Sequence, residues 1–432
     1  MRGNFFVTLI LLVTFAGGIV WAVKYNQIPL TIKQQKAQAL KVETLFLKGS
    51  NTVGESFAPR LAQAYLRSRG GILINTISLE DPVEKIVEGV IPDEDKMIRI
   101  DIRAHGSTTG FKALEKQSAE IAMSSRAIKS EERVTLSSVF GEIVEHPIAL
   151  DALAIVTYPD NPLNTLTISQ IAGIFSGEIK NWSQVGGENQ RIHLLSRDNN
   201  SGTWDTFNSL VLKPRKLKLH EDSKRHESSA ELVASVVNTR GALGFVGVAY
   251  AGEAKLLKVA ANANEPGTRP SGYTIGTQAY PLSRKLYFYT AGRKNSPLAK
   301  SFIQFVTQNE GQKEANNAGL ISYYPTHYRP VKLDKATPIR YRELATIGRR
   351  ITVNFSSGGT KIDEDKETRD LQRLRNFALE NPGRMIVLVD FSDSPRLAEI
   401  KNRLEQNQIS VLDTLTIHYP PLNANNIEVW VI

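Results

Sequence analysis

The strongest constraint on the fold is a recurring unit of short apolar strand, glycine- and hydroxyl-rich turn, and amphipathic helix. Val42 to Leu47 reads as a strand and Gly49 to Gly54 as a turn. Ser56 to Arg69 follows as a helix carrying Phe57, Leu61, Ala64 and Tyr65 on one face. Ile98 to Ala104 is strand-like, Gly110 to Gln117 helical, and Glu120 to Met123 a short strand. His146 to Thr157 holds one or two buried strands. Such alternation predicts an α/β fold with ligand sites at the strand ends.

Three turns of this region are chemically pointed. They are Gly49-Ser50-Asn51-Thr52-Val53-Gly54, Gly106-Ser107-Thr108-Thr109-Gly110 and Arg197-Asp198-Asn199-Asn200-Ser201-Gly202-Thr203. Each lies between a strand and a helix start, where free N–H groups and the helix dipole favour an anion. Ser and Thr hydroxyls add donors, and Arg197 adds a charged fork suited to two oxygens of one anion. Any one of them reads equally well as an ordinary turn with an N-cap. Three in one α/β domain point toward oxyanion binding. None closes with Gly-Lys-Ser/Thr, so nucleotide hydrolysis is not indicated, and no Gly-x-Gly-x-x-Gly dinucleotide fingerprint occurs.

Composition narrows the chemistry. The 432 residues allow two to three domains with a sizeable core. A formal charge of +9 favours anionic partners, but no long basic run supports nucleic acid. The absence of cysteine removes disulfides, thiolate zinc sites and cysteine nucleophiles, and is compatible with export. The seven histidines show no metal-ligand spacing. His105 beside Ser107 lacks the spacing of a Ser–His pair, and the glycine-x-serine-x-glycine elbow is missing. Neither an enzyme nor a cofactor is expected.

The N-terminus, residues 1–25, reads as a membrane anchor or a signal sequence. From Phe5 to Val23 no residue is charged. As a helix this run would rise ~28 Å at about 1.5 Å per residue, near the hydrocarbon thickness. Its end, Ile19-Val20-Trp21-Ala22-Val23, is a poor cleavage site. Trp21 and Tyr25 suit a membrane interface. An uncleaved inner-membrane anchor is favoured over a cleaved secretory signal, and either places the remainder in the periplasm. Residues 26–42 form a polar spacer.

Across residues 43–325 the chain resembles the phosphate-binding components of ABC transporters, within the periplasmic substrate-binding protein family. The stretch Leu166-Thr-Ile-Ser-Gln-Ile-Ala-Gly-Ile-Phe-Ser-Gly-Glu-Ile-Lys-Asn-Trp182-Ser-Gln-Val-Gly-Gly187 carries the resemblance. Arg197 with Ser201-Gly202-Thr203, Gly241 to Gly247, the opening Gly49 to Val53 and the Ser124-Ser125-Arg126 turn support it. The resemblance implies a two-lobed periplasmic binding protein fold of type II, closing on a dehydrated oxyanion. It places the phosphate site at Ser50, Thr52, Val53, Ser107, Ser125, Arg126, Arg197, Ser201, Gly202 and Thr203. It also implies an ABC permease as partner. Well-studied members carry a proton-accepting aspartate in the turn equivalent to Ser124 to Ala127, where this chain has Arg126. That departure weakens discrimination of phosphate from sulfate. Arg126 reads alternatively as a surface or interlobe ion pair.

Residues 326–345, with Pro330 and Pro338, read as a linker. Residues 346–432 then form a small α+β unit. Its strands are Ile351 to Phe355, Met385 to Phe391 and Asn426 to Ile432. Its helices begin at Asp363, with Leu371, Leu374 and Ala378 on one face, and at Arg396. Val353-Asn354-Phe355, Asn381-Pro382 and Ile386 to Asp390 resemble a degenerate OmpA-like peptidoglycan-binding domain. That resemblance implies that Asp393 and Arg396 hold the amine and carboxylate of a cell-wall peptide. The run Asp390-Phe391-Ser392-Asp393 and the closing Asn425-Asn426-Ile427 depart from the family pattern. The alternative is a module kept for packing, with Asp393 an ordinary N-cap. Two functions follow as expectations: a membrane-tethered oxyanion binder for uptake, sensing or buffering, or an envelope scaffold that no longer binds an anion.

Overall fold

The computed structural model describes residues 40–292, 295–329, 333, 335–358, 363–418 and 426–432, together with two short strands nearer the N-terminus. Those strands, Leu12–Phe15 and Gly18–Trp21, pair antiparallel and form a unit of their own, separate from residues 41–432. The rest of the apolar run 5–23 lies outside the described residues. At these described positions the backbone is extended rather than helical. The β-branched Val13, Thr14, Ile19 and Val20 suit strands better than a helix. No helix among the described residues is long and apolar enough to cross a membrane.

From residue 41 the alternating pattern builds one twisted sheet. Its order is Lys224–His226, His193–Arg197, Ala242–Gly247, Val144–Thr157, Ser283–Thr290, Ile121–Ser124, Lys41–Gly49, Lys96–Arg103, Glu84–Ile91, Ile72–Ser78. Helices cover it and divide it into two lobes with separate cores. One core gathers Leu45, Leu47, Phe57, Leu61, Ile100, Ile102 and Phe302. The other gathers Leu153, Ile155, Phe175, Trp182, Phe207 and Phe245, where the Phe207 and Phe245 rings stack at 3.9 Å. The helix Phe57–Ser68 buries Phe57, Leu61 and Tyr65, as its spacing predicts.

Two strands carry the chain between the lobes. Val144–Thr157 is a single 14-residue strand, buried from Ile148 onward, and its far half pairs with Ala242–Gly247. Its near half pairs antiparallel with Ser283–Thr290, with Ala152 opposite Ser283 and Val144 opposite Thr290. A strand buried on both faces reads as an unbroken apolar run. Here only Asp151 interrupts it, and Asp151 lies opposite Arg284.

The C-terminal module is a five-stranded sheet ordered His327–Tyr328, Arg349–Ser356, Asn426–Val431, Ile386–Asp390, Val411–Thr416. Helices Glu364–Glu380 and Arg396–Gln406 contribute Leu374, Phe377, Ile400 and Leu404 to its core. The edge strand Val411–Thr416 is an addition to the expected pattern; its half-exposed alternation gave no strong core signal. The expected linker 326–345 is also corrected. His327–Tyr328 joins the module's sheet, and the helix Ile339–Ile347 buries Tyr341 and Leu344 against it.

This module is packed onto the second lobe rather than strung behind it. The Arg350 guanidinium lies 3.6 Å from the Tyr273 ring centroid, and Arg373 Nε donates to the Tyr323 carbonyl at 2.7 Å. Glu428, buried at 6% exposure, receives Tyr341 Oη at 2.8 Å, Trp430 Nε1 at 2.9 Å and the Arg350 guanidinium. Replacing Glu428 by Ala strands a buried arginine and two buried donors. Urea unfolding should show a loss of about 3 kcal/mol, in the range seen when one partner of a buried pair is removed. A change near zero would mean that the cluster contributes no net stability.

Candidate functional site

The three singled-out turns all lie at carboxyl ends of strands, two on adjacent strands of the first lobe and the third on a strand of the second. Lys41–Gly49 runs into Ser50 and a short helical turn, Asn51–Gly54. Lys96–Arg103 leads to Gly106 and the helix Ser107–Glu115. His193–Arg197 leads to Ser201 and the helix Gly202–Phe207. A fourth turn, Ser125-Arg126, follows Ile121–Ser124.

Backbone bonds stitch the first-lobe turns together. Ser50 N–H donates to the Met123 carbonyl at 2.9 Å, and Gly106 N–H to the Gly49 carbonyl at 2.7 Å. Ser125 N–H donates to Ser107 Oγ at 3.0 Å, and the two hydroxyls lie 3.4 Å apart. Val53 turns its side chain into the first core, which leaves only its backbone for a ligand. The second-lobe turn meets these groups directly. Thr203 Oγ1 is 3.1 Å from Thr52 Oγ1, and a methyl on Gly202 would overlap Ser107 Oγ. Gly106, at φ +101°, lies so close to the Asn200 carbonyl that no side chain fits there. Ser201 Oγ caps its helix, accepting from Thr203 N–H at 3.2 Å and Trp204 N–H at 3.3 Å.

Arg197 is the electrostatic centre of this junction. It is 0% exposed, and no carboxylate among the described residues lies within ion-pair distance of it. Its donors go to the His226 carbonyl at 3.2 Å, Ser229 Oγ at 2.7 Å, Asn51 Oδ1 at 3.0 Å and the Glu227 carbonyl. Burial pulls its pKa down, against the attraction of Asp198 and Glu55. Burial also raises the pKa of both those carboxyl groups.

Arg126 needs a correction. Its Nη1 and Nη2 each donate to Glu132 at 2.7 Å, and its Nε donates to Asp205 across the lobes at 2.7 Å. The side chain is an interlobe ion pair and has no fork left for an anion. The cell-wall pair is corrected likewise. Arg396 Nη2 is held by Glu367 at 2.6 and 2.8 Å, and Glu367 also takes Arg403 at 2.9 Å. Asp393 is exposed at φ +56° and does not cap the helix; buried Asp390 receives Ser394 N–H at 2.7 Å instead.

Sequence reasoning missed three contributors. Arg284 Nη1 donates to Thr203 Oγ1 at 2.9 Å and Nη2 to Thr52 Oγ1 at 3.2 Å, while Asp151 holds the same guanidinium at 2.6 Å. Tyr250 Oη donates to the Asn51 and Thr52 carbonyls at 3.3 Å each. The available signal was Asp151, a lone charge inside an otherwise apolar buried strand.

Comparison with known proteins places relatives over the two-lobed region. A family model described as a PBP superfamily domain matches residues 67–310. Protein SphX of Synechococcus elongatus is 30% identical over 279 residues, covering 61% of this chain and 79% of that protein. Phosphate-binding protein PstS of Borreliella burgdorferi is 29% identical over 224 residues, covering 50% of this chain and 77% of that protein. The X-ray structure of a substrate-binding protein from Clostridium perfringens, with bound phosphate, is similar with a TM-score of 0.53 at 26% identity. It covers 65% of this chain and 99% of that one.

One interlobe link is titratable. His105 Nε2 lies 2.8 Å from Glu84 in the first lobe and Nδ1 lies 3.0 Å from Glu227 in the second. Partial burial opposes its charge, but the bonds to Glu84 and Glu227 prevail and raise its pKa above 6.5. The stabilisation is therefore complete below the ordinary histidine value and fades as pH rises through the raised one. His105→Gln should flatten the stability–pH profile in that window. Chemical unfolding from mildly acidic to mildly alkaline pH checks this, and an unchanged profile would rule the link out.

Proposed function

This chain belongs to the PBP superfamily, and from that premise we propose that it binds phosphate or a closely related tetrahedral oxyanion between its lobes. Binding is reversible and involves no covalent chemistry. One observation carries the reading: Arg197 is a fully buried cation without a paired carboxylate. A buried charge is costly unless compensated, and an anion at the junction supplies the compensation.

The hydroxyls around it supply the remaining donors. Thr52, Ser107, Ser125, Ser201 and Thr203 are all buried, come from both lobes and converge on one place. An oxyanion entering there takes the place of the Thr52–Thr203 contact, the lobes parting to admit it and closing around it on the two crossing strands. The relatives named as phosphate-binding proteins support phosphate as the first ligand to try. With Arg126 committed to Glu132 and Asp205, the turn that follows Ser124 offers the Ser125 hydroxyl and no carboxylate.

In this reading the binding lobes work in the periplasm, held near the inner membrane by the apolar run 5–23, and deliver to or report to an ABC permease. The second reading, an envelope scaffold, draws on the firm packing of the C-terminal module. That module serves as a wall contact only through residues other than the occupied Arg396.

Isothermal titration of the full chain with phosphate and then sulfate, after stripping bound anion by mild unfolding and refolding, decides between them. Saturable binding is expected, weakened by roughly a hundredfold or more in Arg197→Ala, as for loss of a buried charged donor. A folded chain that takes up neither anion would leave the scaffold.

A further inference from the structure

We propose that Arg284 is a ligand-contacting residue of this anion site, and that Asp151 is a positioning residue that sets the ligand charge the site accepts. The inference rests on the oxyanion reading above and deepens it.

The geometry is specific. Arg284 and Asp151 stand in register on the two crossing strands, which both lobes share. Arg284 Nε and Nη2 donate to Asp151 Oδ2 at 2.9 and 2.6 Å. Asp151 is 0% exposed and Arg284 6%. Asp151 Oδ1 is itself fixed by Val248 N–H at 3.1 Å, and a Cβ on Gly247 would lie 2.9 Å from Oδ2. The carboxylate is thus pinned behind the guanidinium. The outer edge of Arg284 faces the other way, with Nη1 on Thr203 Oγ1 and Nη2 on Thr52 Oγ1. Those two hydroxyls belong to opposite lobes and touch each other. An oxyanion that separates them meets both ends of the fork.

The charge follows from the same contacts. Asp151 neutralises Arg284, which leaves Arg197 as the cation without a paired carboxylate. With Asp151 removed, Arg284 becomes a second such cation a few ångströms from the ligand, and a dianion gains more than a monoanion. The pair lets Arg284 contribute donors without contributing net charge.

The test is titration of the full chain with phosphate and with sulfate at mildly acidic pH, where phosphate is mostly a monoanion and sulfate a dianion. Arg284→Gln should weaken both ligands roughly ten- to a hundredfold, as loss of charged hydrogen bonds does. Asp151→Asn should move the phosphate-to-sulfate preference toward sulfate by roughly tenfold or more. If either single variant fails to fold by circular dichroism, the double variant Asp151→Asn with Arg284→Gln removes both charges together and leaves no unpaired ion. It should fold, bind more weakly than the wild type and keep the wild-type preference. Wild-type affinity in Arg284→Gln, or in the double variant, would overturn the contact while leaving the oxyanion reading intact. An unmoved preference in folded Asp151→Asn would overturn the charge role. A wild-type chain that binds neither anion would overturn both readings together.

Discussion

Everything at the interlobe junction is organised around a guanidinium with no carboxylate beside it. Arg197 closes the strand His193–Arg197 wholly out of water, and its fork is spread over two backbone carbonyls, one hydroxyl and the amide oxygen of Asn51. Neutral acceptors orient a cation but do not cancel it. Burial raises the pKa of Asp198 and Glu55, the two carboxyl groups whose charge bears on it most.

The contrast with the other buried arginines is informative. Arg126 and Arg284 are buried too, but each has a carboxylate partner, and each bridges the lobes. One guanidinium is held by neutral acceptors alone while two others are held by carboxylates. The crossing strands Val144–Thr157 and Ser283–Thr290 keep both lobes on a single sheet while each lobe retains a core of its own.

The C-terminal module adds a second layer of constraint. Tyr273, Gly276 and Gln278 of the second lobe receive Arg350, Arg373 and Arg369 from the module. A buried acidic hub at Glu428 holds Arg350 in place from the module's own side. Arg350, Arg369 and Arg373 are thereby taken up in the contact with that lobe, whereas Arg340, Arg342, Arg375 and Arg384 remain exposed.

Sequence alone determined the elements that depend on local pattern. Strand–helix alternation, the turn glycines and the face Phe57–Leu61–Tyr65 are set by neighbours a few residues apart, so they were legible. The turn residues Thr52, Ser107, Arg197, Ser201 and Thr203 were legible too, because hydroxyls and glycine at helix starts carry a local physical meaning. What the sequence could not supply was pairing across distance. Whether Arg126 or Arg197 is the available cation depends on Glu132 and Asp205 coming to the first and not to the second. The same is true of Arg396, claimed by Glu367 from another helix, and of Arg284, brought to Asp151 only by strand register. A charge interacts with whatever the fold places within a few ångströms, at any separation along the chain, and so its role was decided by tertiary structure.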